Sequence, residues 1–140
     1  MILDLTKNRS NTKVHRSKSI LVLDDEWDIV NLVKDSLHLN GFNVCTFTDP
    51  MAALEQFKAN SKDYDIVISD IRMPAMNGYQ FVKHVKERNP KVKVILMTAF
   101  EIDNKEFHNV LSDIKVDAFL QKPFSIQQLN NAIHKISEVR

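Results

Sequence analysis

The sequence predicts an α/β domain in which a parallel sheet is covered by helices on both faces. Short runs of apolar, β-branched residues alternate five times with stretches whose apolar residues recur at helical spacing. The run from Ile66 to Ile68 is apolar at every position, which is typical of a strand buried on both faces. Only two glycines occur, so the glycine-rich loops of dinucleotide-binding and P-loop folds are both absent.

Five strands and five helices can be placed in order. The predicted strands are Ser19 to Leu23, Asn43 to Thr48, Ile66 to Asp70, Lys93 to Thr98 and Ala118 to Gln121. The predicted helices are Trp27 to Asn40, a helix opened by Asp49-Pro50, Gly78 to Asn89, a helix at the capping-box pair Asp103 and Glu106, and a last helix after Ser125. Gly41 follows the first helix as a C-cap residue, and Ser125 with Gln128 forms a second capping box.

Length and composition predict one domain with a basic tail. The chain has 140 residues, of which 44% are hydrophobic and 26% charged, as in ordinary globular proteins. Residues 1–18 hold five basic residues and one acidic residue, whereas the remainder holds 14 basic and 17 acidic residues. We therefore predict a flexible basic tail over residues 1–17 and a folded domain over 18–140. A solvated extension and a weak contact with nucleic acid both remain open for the tail.

Several classes of protein are disfavoured by the sequence. Cys45 is the only cysteine, so an intramolecular disulfide bond is impossible. No apolar run approaches the roughly 18 residues of a membrane-spanning helix. The N-terminal charges are not followed by the apolar core of a secretory signal. We expect a cytoplasmic protein that makes no membrane contact.

Polar residues of distinct types end four of the predicted strands. They are Asp24 with Asp25, then Asp70, Thr98 and Lys122. Because the carboxyl ends of parallel strands meet at one edge of a sheet, these side chains should converge. Three carboxylates that lie close together raise one another's pKa, and a hard divalent cation relieves the repulsion. Oxygen ligands suit Mg²⁺, with Mn²⁺ as an alternative.

Such a site has the parts needed to transfer a phosphoryl group to a carboxylate. Asp70 would attack, Thr98 would donate a hydrogen bond, and the metal and Lys122 would neutralise phosphoryl oxygens. Each part alone has a simpler interpretation, because an Asp pair can cap a helix and Lys122 can be a solvated side chain. All of them at successive strand ends favours the functional interpretation.

The same residues resemble the receiver domain of two-component response regulators. The resemblance covers about residues 18–140 and implies a flavodoxin-like (βα)5 three-layer sandwich with strand order 2-1-3-4-5. The matching segments are Leu21-Val22-Leu23-Asp24-Asp25-Glu26, Ile66 to Pro74 with Asn77-Gly78, Met97-Thr98-Ala99, and Leu120-Gln121-Lys122-Pro123-Phe124.

The resemblance implies a role for each residue at the metal centre. Asp70 resembles the phospho-acceptor, which receives a phosphoryl group from a histidine of a sensor kinase or a phosphotransfer protein. Asp25 resembles a direct Mg²⁺ ligand and Asp24 a ligand that acts largely through water. The backbone carbonyl of Arg72 would complete the ligands that the protein provides.

The resemblance also implies a switch. Thr98 and Lys122 resemble the hydroxyl and the ammonium that sense the phosphoryl group. Phe119 resembles the aromatic residue whose rotamer follows the threonine and remodels the face formed by helix 4, strand 5 and helix 5. Phe119 has no hydroxyl, unlike the tyrosine of many members, and plain core packing is its alternative interpretation.

Two further positions are those that members of this family vary to set the phosphoryl lifetime. They are Arg72, two residues after Asp70, and Phe100, two residues after Thr98. A bulky ring at Phe100 would shield the phosphoryl group from water, so we hypothesise slow self-dephosphorylation.

We expect a stand-alone receiver, because Arg140 directly follows the last predicted helix. It would not be a dedicated enzyme but would catalyse its own phosphoryl uptake. Output would pass through a downstream protein partner, a further phosphorelay step or a homodimer formed on phosphorylation. Nucleic-acid binding through the tail is a weaker alternative, since the tail has no aromatic residue for base stacking. An inactive scaffold would not need these five site residues, and a dedicated phosphatase would need a general acid or base that the sequence does not place.

Overall fold

The computed structural model describes residues 18–99 and 114–138. Its five strands are β1 (Ser19–Leu23), β2 (Asn43–Phe47), β3 (Ile66–Asp70), β4 (Lys93–Thr98) and β5 (Ala118–Gln121). Its four described helices are α1 (Trp27–Leu39), α2 (Pro50–Ala59), α3 (Gly78–Arg88) and α4 (Ile126–Glu138), with a 3-10 turn at Ser61–Asp63. The predicted tail, the predicted helix at Asp103 and the side chain of Phe100 lie outside the described residues.

All five strands run parallel in the order β2-β1-β3-β4-β5. This confirms the predicted fold class and strand order. β1 and β3 are inner strands. β1 is apolar after Ser19, β3 is apolar from Ile66 to Ile68, and every residue of β3 is buried. A strand covered by helices on both faces cannot alternate between apolar and polar residues, which explains the continuous apolar run seen in the sequence.

The core consists of two apolar layers, one on each face of the sheet. Alternate residues of β1 point to opposite faces, so Leu21 and Leu23 belong to one layer while Ile20 and Val22 belong to the other. The first layer is completed by α2 and α3, with Phe57 and Phe81, and the second by α1 and α4, with Leu37 and Leu129. The result is a three-layer sandwich in which the sheet is the middle layer.

Most helix signals act as the sequence predicts. Asp49 accepts a hydrogen bond from the backbone N–H of Ala52, and Asn77 forms a full capping box with Gln80. Ser125 and Gln128 form the predicted capping box, with bonds of 2.8 and 3.0 Å.

Element ends differ from the prediction by one residue. Gly41 has a φ of 88°, the left-handed conformation expected after a helix, but α1 ends at Leu39, so Asn40 is its cap. β2 and α3 also end one residue early, because pairing and capping contacts decide an end that the sequence pattern cannot.

Among the described residues, no helix is both long and apolar enough to cross a bilayer.

Candidate functional site

The register of the sheet brings the polar strand ends to one edge. Leu23 pairs with Ser69, Asp70 pairs with Met97, and Thr98 pairs with Gln121. Asp24 therefore lies level with Asp70 on the neighbouring strand, and Lys122 lies one residue beyond the level of Thr98. Four short parallel strands in this register are enough to gather these residues, although Asp24 and Lys122 are almost 100 positions apart in sequence.

Asp24 forms the floor of the site. Its side chain is fully buried, and Oδ1 accepts a hydrogen bond of 2.9 Å from the backbone N–H of Glu26. Oδ2 has no well-directed hydrogen bond but lies 2.7 Å from the Lys122 ammonium. Burial raises the pKa of the Asp24 carboxyl, and the contact with Lys122 offsets only part of that effect.

Asp70 lies beside Asp24 and is 6% exposed. Oδ1 accepts a hydrogen bond of 3.0 Å from the backbone N–H of Ile71 and lies 3.4 Å from Lys122 Nζ. Burial, followed by repulsion from Asp24, raises the pKa of Asp70 to about 6, against the opposing pull of Lys122. Asp70 is therefore largely ionised at neutral pH, but its charge is poorly compensated by the protein.

Gly78 fixes the backbone on which Asp70 stands. A Cβ atom at this position would lie 2.2 Å from the carbonyl oxygen of Asp70 and 2.8 Å from Cα of Ile71. The Gly78 N–H donates a 2.7 Å hydrogen bond to the carbonyl of Ile71. Because only glycine permits this approach, the first turn of α3 packs directly against the end of β3. The Asn77-Gly78 pair and the start of a helix at Gly78 were apparent from the sequence, but this contact was not.

Lys122 is shared by three carboxylates. Its Nζ lies 2.7 Å from Asp24 Oδ2, 3.1 Å from Glu26 Oε1 and 3.4 Å from Asp70 Oδ1. Burial disfavours the ammonium, but its contacts with Asp24 and Asp70 dominate and raise the pKa of Lys122 to about 12. Glu26 was not singled out from the sequence. Its place beside the Asp pair was the only available signal, because the contact depends on the side-chain conformations of both residues.

The carboxylates fit a hard divalent cation. One oxygen atom from each of Asp24, Asp25 and Asp70 lies within 4.8 Å of the other two. Asp25 is exposed while the other two are buried, so a metal would be bound at the base of an open cleft. Burial raises the pKa values of Asp24 and Asp70, and repulsion from Asp24 adds to the shift at Asp70, so a cation bound by these oxygen atoms would stabilise their charged forms.

A cavity of about 290 Å³ opens above these groups. It is lined by Asp25, Glu26, Asp70, Arg72, Thr98, Ala99 and Lys122. Five residues predicted from the sequence therefore share one cavity, with Asp24 beneath it. Phe119 is half-buried and packs against the apolar layer of α2 and α3, not in this cavity. The predicted role of Phe100 lies outside the described residues.

Known proteins resemble this chain over most of its length. A family model described as the response regulator receiver domain matches residues 20–134. The alkaline phosphatase synthesis transcriptional regulatory protein PhoP of Bacillus subtilis is 31% identical over 121 residues, which cover 86% of this chain and 48% of that protein. The response regulator SaeR of Staphylococcus epidermidis is 32% identical over 123 residues, which cover 85% and 52%. The chain thus spans about half the length of these relatives.

Solved structures agree at the level of the fold. The chemotaxis protein CheY4 of Vibrio cholerae superposes with a TM-score of 0.79 at 25% identity, covering 86% of this chain and 99% of that one. A response regulator receiver domain protein of Clostridium thermocellum gives a TM-score of 0.74 at 29% identity, covering 86% and 97%. Both similarities extend over nearly the whole of the solved chains.

Proposed function

Because this chain belongs to the response regulator receiver domain family, we propose that Asp70 accepts a phosphoryl group from a phosphohistidine on a sensor kinase or a phosphotransfer protein. One observation carries the proposal. Asp70 is the buried carboxylate that faces the open cavity and lies next to both the acidic pair and Lys122. Its raised pKa indicates a charge that the folded protein leaves undercompensated, as expected of a group that reacts.

The proposed reaction is an in-line displacement. A carboxylate oxygen of Asp70 attacks phosphorus, the P–N bond to the donor histidine breaks, and an acyl phosphate forms. The electron pair of the broken bond returns to the imidazole. At neutral pH Asp70 is mainly ionised, so it needs no general base, and the described cavity contains no histidine.

Asp24, Asp25 and Asp70 are the side chains that would bind Mg²⁺, and the Arg72 carbonyl is the proposed backbone ligand. When bound there, the cation supplies positive charge for the phosphoryl oxygens. Asp24 would contribute from the buried side of the site, where its Oδ1 accepts from the Glu26 N–H and its Oδ2 lies 2.7 Å from Lys122 Nζ. Asp25 contributes from the solvent side, where its exposed carboxylate can approach an incoming ion.

We propose that Lys122 and Thr98 respond to the negative charge of the added phosphoryl group. The Lys122 ammonium already lies 3.4 Å from Asp70, so a phosphoryl group on that carboxylate would attract it away from Glu26. Thr98 is almost fully buried and lines the cavity, so its hydroxyl would donate to a phosphoryl oxygen. Phe119 would respond through the apolar layer of α2 and α3, against which it packs.

Signalling would use the face of β5 and α4 together with the predicted helix between β4 and β5, which lies outside the described residues. Action without an effector domain stays a prediction, since about half of each of the two relatives lies outside the match. Transfer onward in a phosphorelay, dimerisation on phosphorylation, contact with nucleic acid through the tail and slow dephosphorylation set by Arg72 and Phe100 also stay predictions.

The test is covalent labelling. The native chain is incubated with acetyl phosphate and Mg²⁺, and its intact mass is compared with those of Asp70→Asn and Asp35→Asn, a matched change at an exposed carboxylate on α1. We expect one added phosphoryl group on the native chain and on Asp35→Asn, none on Asp70→Asn, and none on any chain with excess chelator. Equal labelling of the native chain and Asp70→Asn would refute the assignment.

A further inference from the structure

A second concave surface lies at the opposite edge of the sheet, where the strands begin. A cavity of about 620 Å³ opens between the start of β1, the turn at Ser61–Asp63 and the loop that joins α3 to β4. Five basic residues line this cavity, which we call the basic groove. They are Lys18, Lys62, Arg88, Lys91 and Lys93, and Asp65 is the one carboxylate among its lining residues.

Most of the positive charge of the basic groove is unpaired in the described part of the chain. Lys93 lies 4.0 Å from Asp117, which also serves Lys86. Within residues 18–99 and 114–138, the other four cationic side chains form no ion pair. Lys62, Arg88 and Lys91 are exposed, so their charges are available to a ligand. Like charges that line one cavity repel one another, and a bound anionic partner would reduce this repulsion.

Hydrogen bonds made by Asn89 hold the walls of the groove in place. Asn89 Nδ2 donates a 2.8 Å bond to the carbonyl of Ser61, which ties the loop after α3 to the 3-10 turn. Asn89 Oδ1 accepts from the backbone N–H of Lys91 at 3.1 Å, and the Asn89 carbonyl accepts from Val92 at 3.2 Å. The half-buried Asn89 side chain therefore links the backbone beside Lys62 to the backbone of Lys91 before any ligand arrives.

We propose that the basic groove binds an acidic segment of a partner protein, rich in Asp and Glu. The cations are mostly lysines spread along three chain segments, so they suit several separate carboxylates better than one compact anion. A single phosphate would need converging backbone N–H groups. The N–H groups of Lys91, Val92 and Lys93 are already committed to Asn89 and to the Asp65 carbonyl.

Other anionic surfaces fit less well. Single-stranded nucleic acid needs exposed aromatic rings for stacking, but Tyr64, the aromatic residue of the groove, is 8% exposed. Duplex nucleic acid is held by a longer track of roughly 6–10 phosphate contacts. A membrane surface would also engage exposed apolar side chains, and Val92 in the groove is buried.

Binding here would be independent of the phosphorylation chemistry. The strands have four to six residues each, and the groove and Asp70 lie at opposite ends of them. An acidic partner segment at the basic groove would thus tether the domain without covering the cavity above Asp70.

The test measures fluorescence anisotropy with a labelled decapeptide of alternating Glu and Ser. Lys62→Gln/Arg88→Gln/Lys91→Gln removes three exposed charges of the groove. Lys34→Gln/Lys83→Gln/Lys135→Gln removes three charges from helices outside it and serves as the matched control. We expect saturable binding by the native chain, about tenfold weaker binding by the groove variant, and less than about twofold change in the control.

Three outcomes bear on the inference. Asp70→Asn should bind the peptide as the native chain does, so failure of the phosphoryl proposal and failure of this one are separable. Equal weakening of both triple variants would mean nonspecific attraction and would overturn the proposal. Tighter, groove-dependent binding of a duplex oligonucleotide than of the peptide would overturn the choice of an acidic protein segment. Circular dichroism of each variant checks that the fold is retained.

Discussion

The two edges of the sheet place the same residue types in opposite situations. At the edge where strands begin, Asp65 accepts the backbone N–H of Ser19 at 2.8 Å, and Asp117 accepts that of Val94 at 2.7 Å. Each aspartate also returns a bond, because its own N–H donates to the carbonyl of the residue that it receives from. These carboxylates join neighbouring chain segments to the sheet and are satisfied by the protein itself.

At the edge where strands end, the carboxylates compete for one cation. Asp24, Glu26 and Asp70 all lie within 3.4 Å of Lys122 Nζ, and Asp25 adds a fourth negative charge nearby. The pKa values of both Asp24 and Asp70 are raised by burial. A carboxylate that is partly or fully buried therefore has two roles in this fold. With a reciprocal backbone partner it stabilises the sheet, and without one it marks a site where a ligand completes the charge balance.

The largest expected effect concerns Asp117, at the edge of the sheet where the strands begin. Asp117→Ala removes the acceptor of the Val94 N–H and leaves the Lys86 and Lys93 ammonium groups without their shared carboxylate. Asp117 is only 10% exposed, so we expect a loss of about 2–4 kcal/mol in the free energy of unfolding, measured by urea denaturation. Asp63→Ala, an exposed acid beside the same edge, should change it by less than about 0.5 kcal/mol. Similar losses in the two variants would contradict the structural role of Asp117.

At the edge where the strands end, substitution of Asp70 should instead increase the free energy of unfolding. Asp70→Asn keeps an acceptor for the Ile71 N–H but removes a buried charge, so without divalent cations we expect a gain of about 1–2 kcal/mol at pH 7.5. The folded-state pKa of about 6 lies above the ordinary value of 3.8, so Asp70 is more easily protonated in the folded state. The native chain therefore loses stability as pH rises through that interval and keeps it below.

Two measurements separate this account from a general effect of asparagine. The stability difference between Asp70→Asn and the native chain should shrink towards zero near pH 4 and reach its full value above pH 7, followed by urea denaturation at each pH. Adding Mg²⁺ should stabilise the native chain and have less effect on the variant, because the cation relieves the repulsion between carboxylates. A difference that stays constant from pH 4 to pH 8 would contradict the repulsion as its cause.

Only part of the site at the carboxyl edge could be predicted from the sequence, for a physical reason. Asp70, Thr98 and Lys122 could be assigned to one site from sequence because parallel strands force their ends together whatever the side chains do. The contact of Glu26 with Lys122 and the close approach of Gly78 to Asp70 could not, because they depend on rotamers and on helix docking.

The same limit applies at the amino edge. Asp65 and Asp117 each precede an apolar run by one residue, a position that could equally belong to a solvated loop. Only the register of β1 with β3, and of β4 with β5, reveals which backbone N–H each carboxylate meets. The order and class of the elements could thus be predicted from periodicity, whereas side-chain partnerships required the folded coordinates.

The smallest expected effect concerns Glu26, the residue that shares Lys122 with Asp70. Glu26→Gln removes the exposed competitor at 3.1 Å, so Lys122 would be more available to Asp70 and to an incoming phosphoryl group. We expect phosphoryl uptake from acetyl phosphate to quicken by roughly twofold to fivefold at low salt, with a smaller gain at high salt. Asp28→Asn, an exposed acid two residues further on, removes the same charge and contacts no described cation, so it reports general attraction of the anionic donor. Equal acceleration by the two variants would mean that Glu26 acts only through overall charge, and that the division of Lys122 among three carboxylates has no kinetic role.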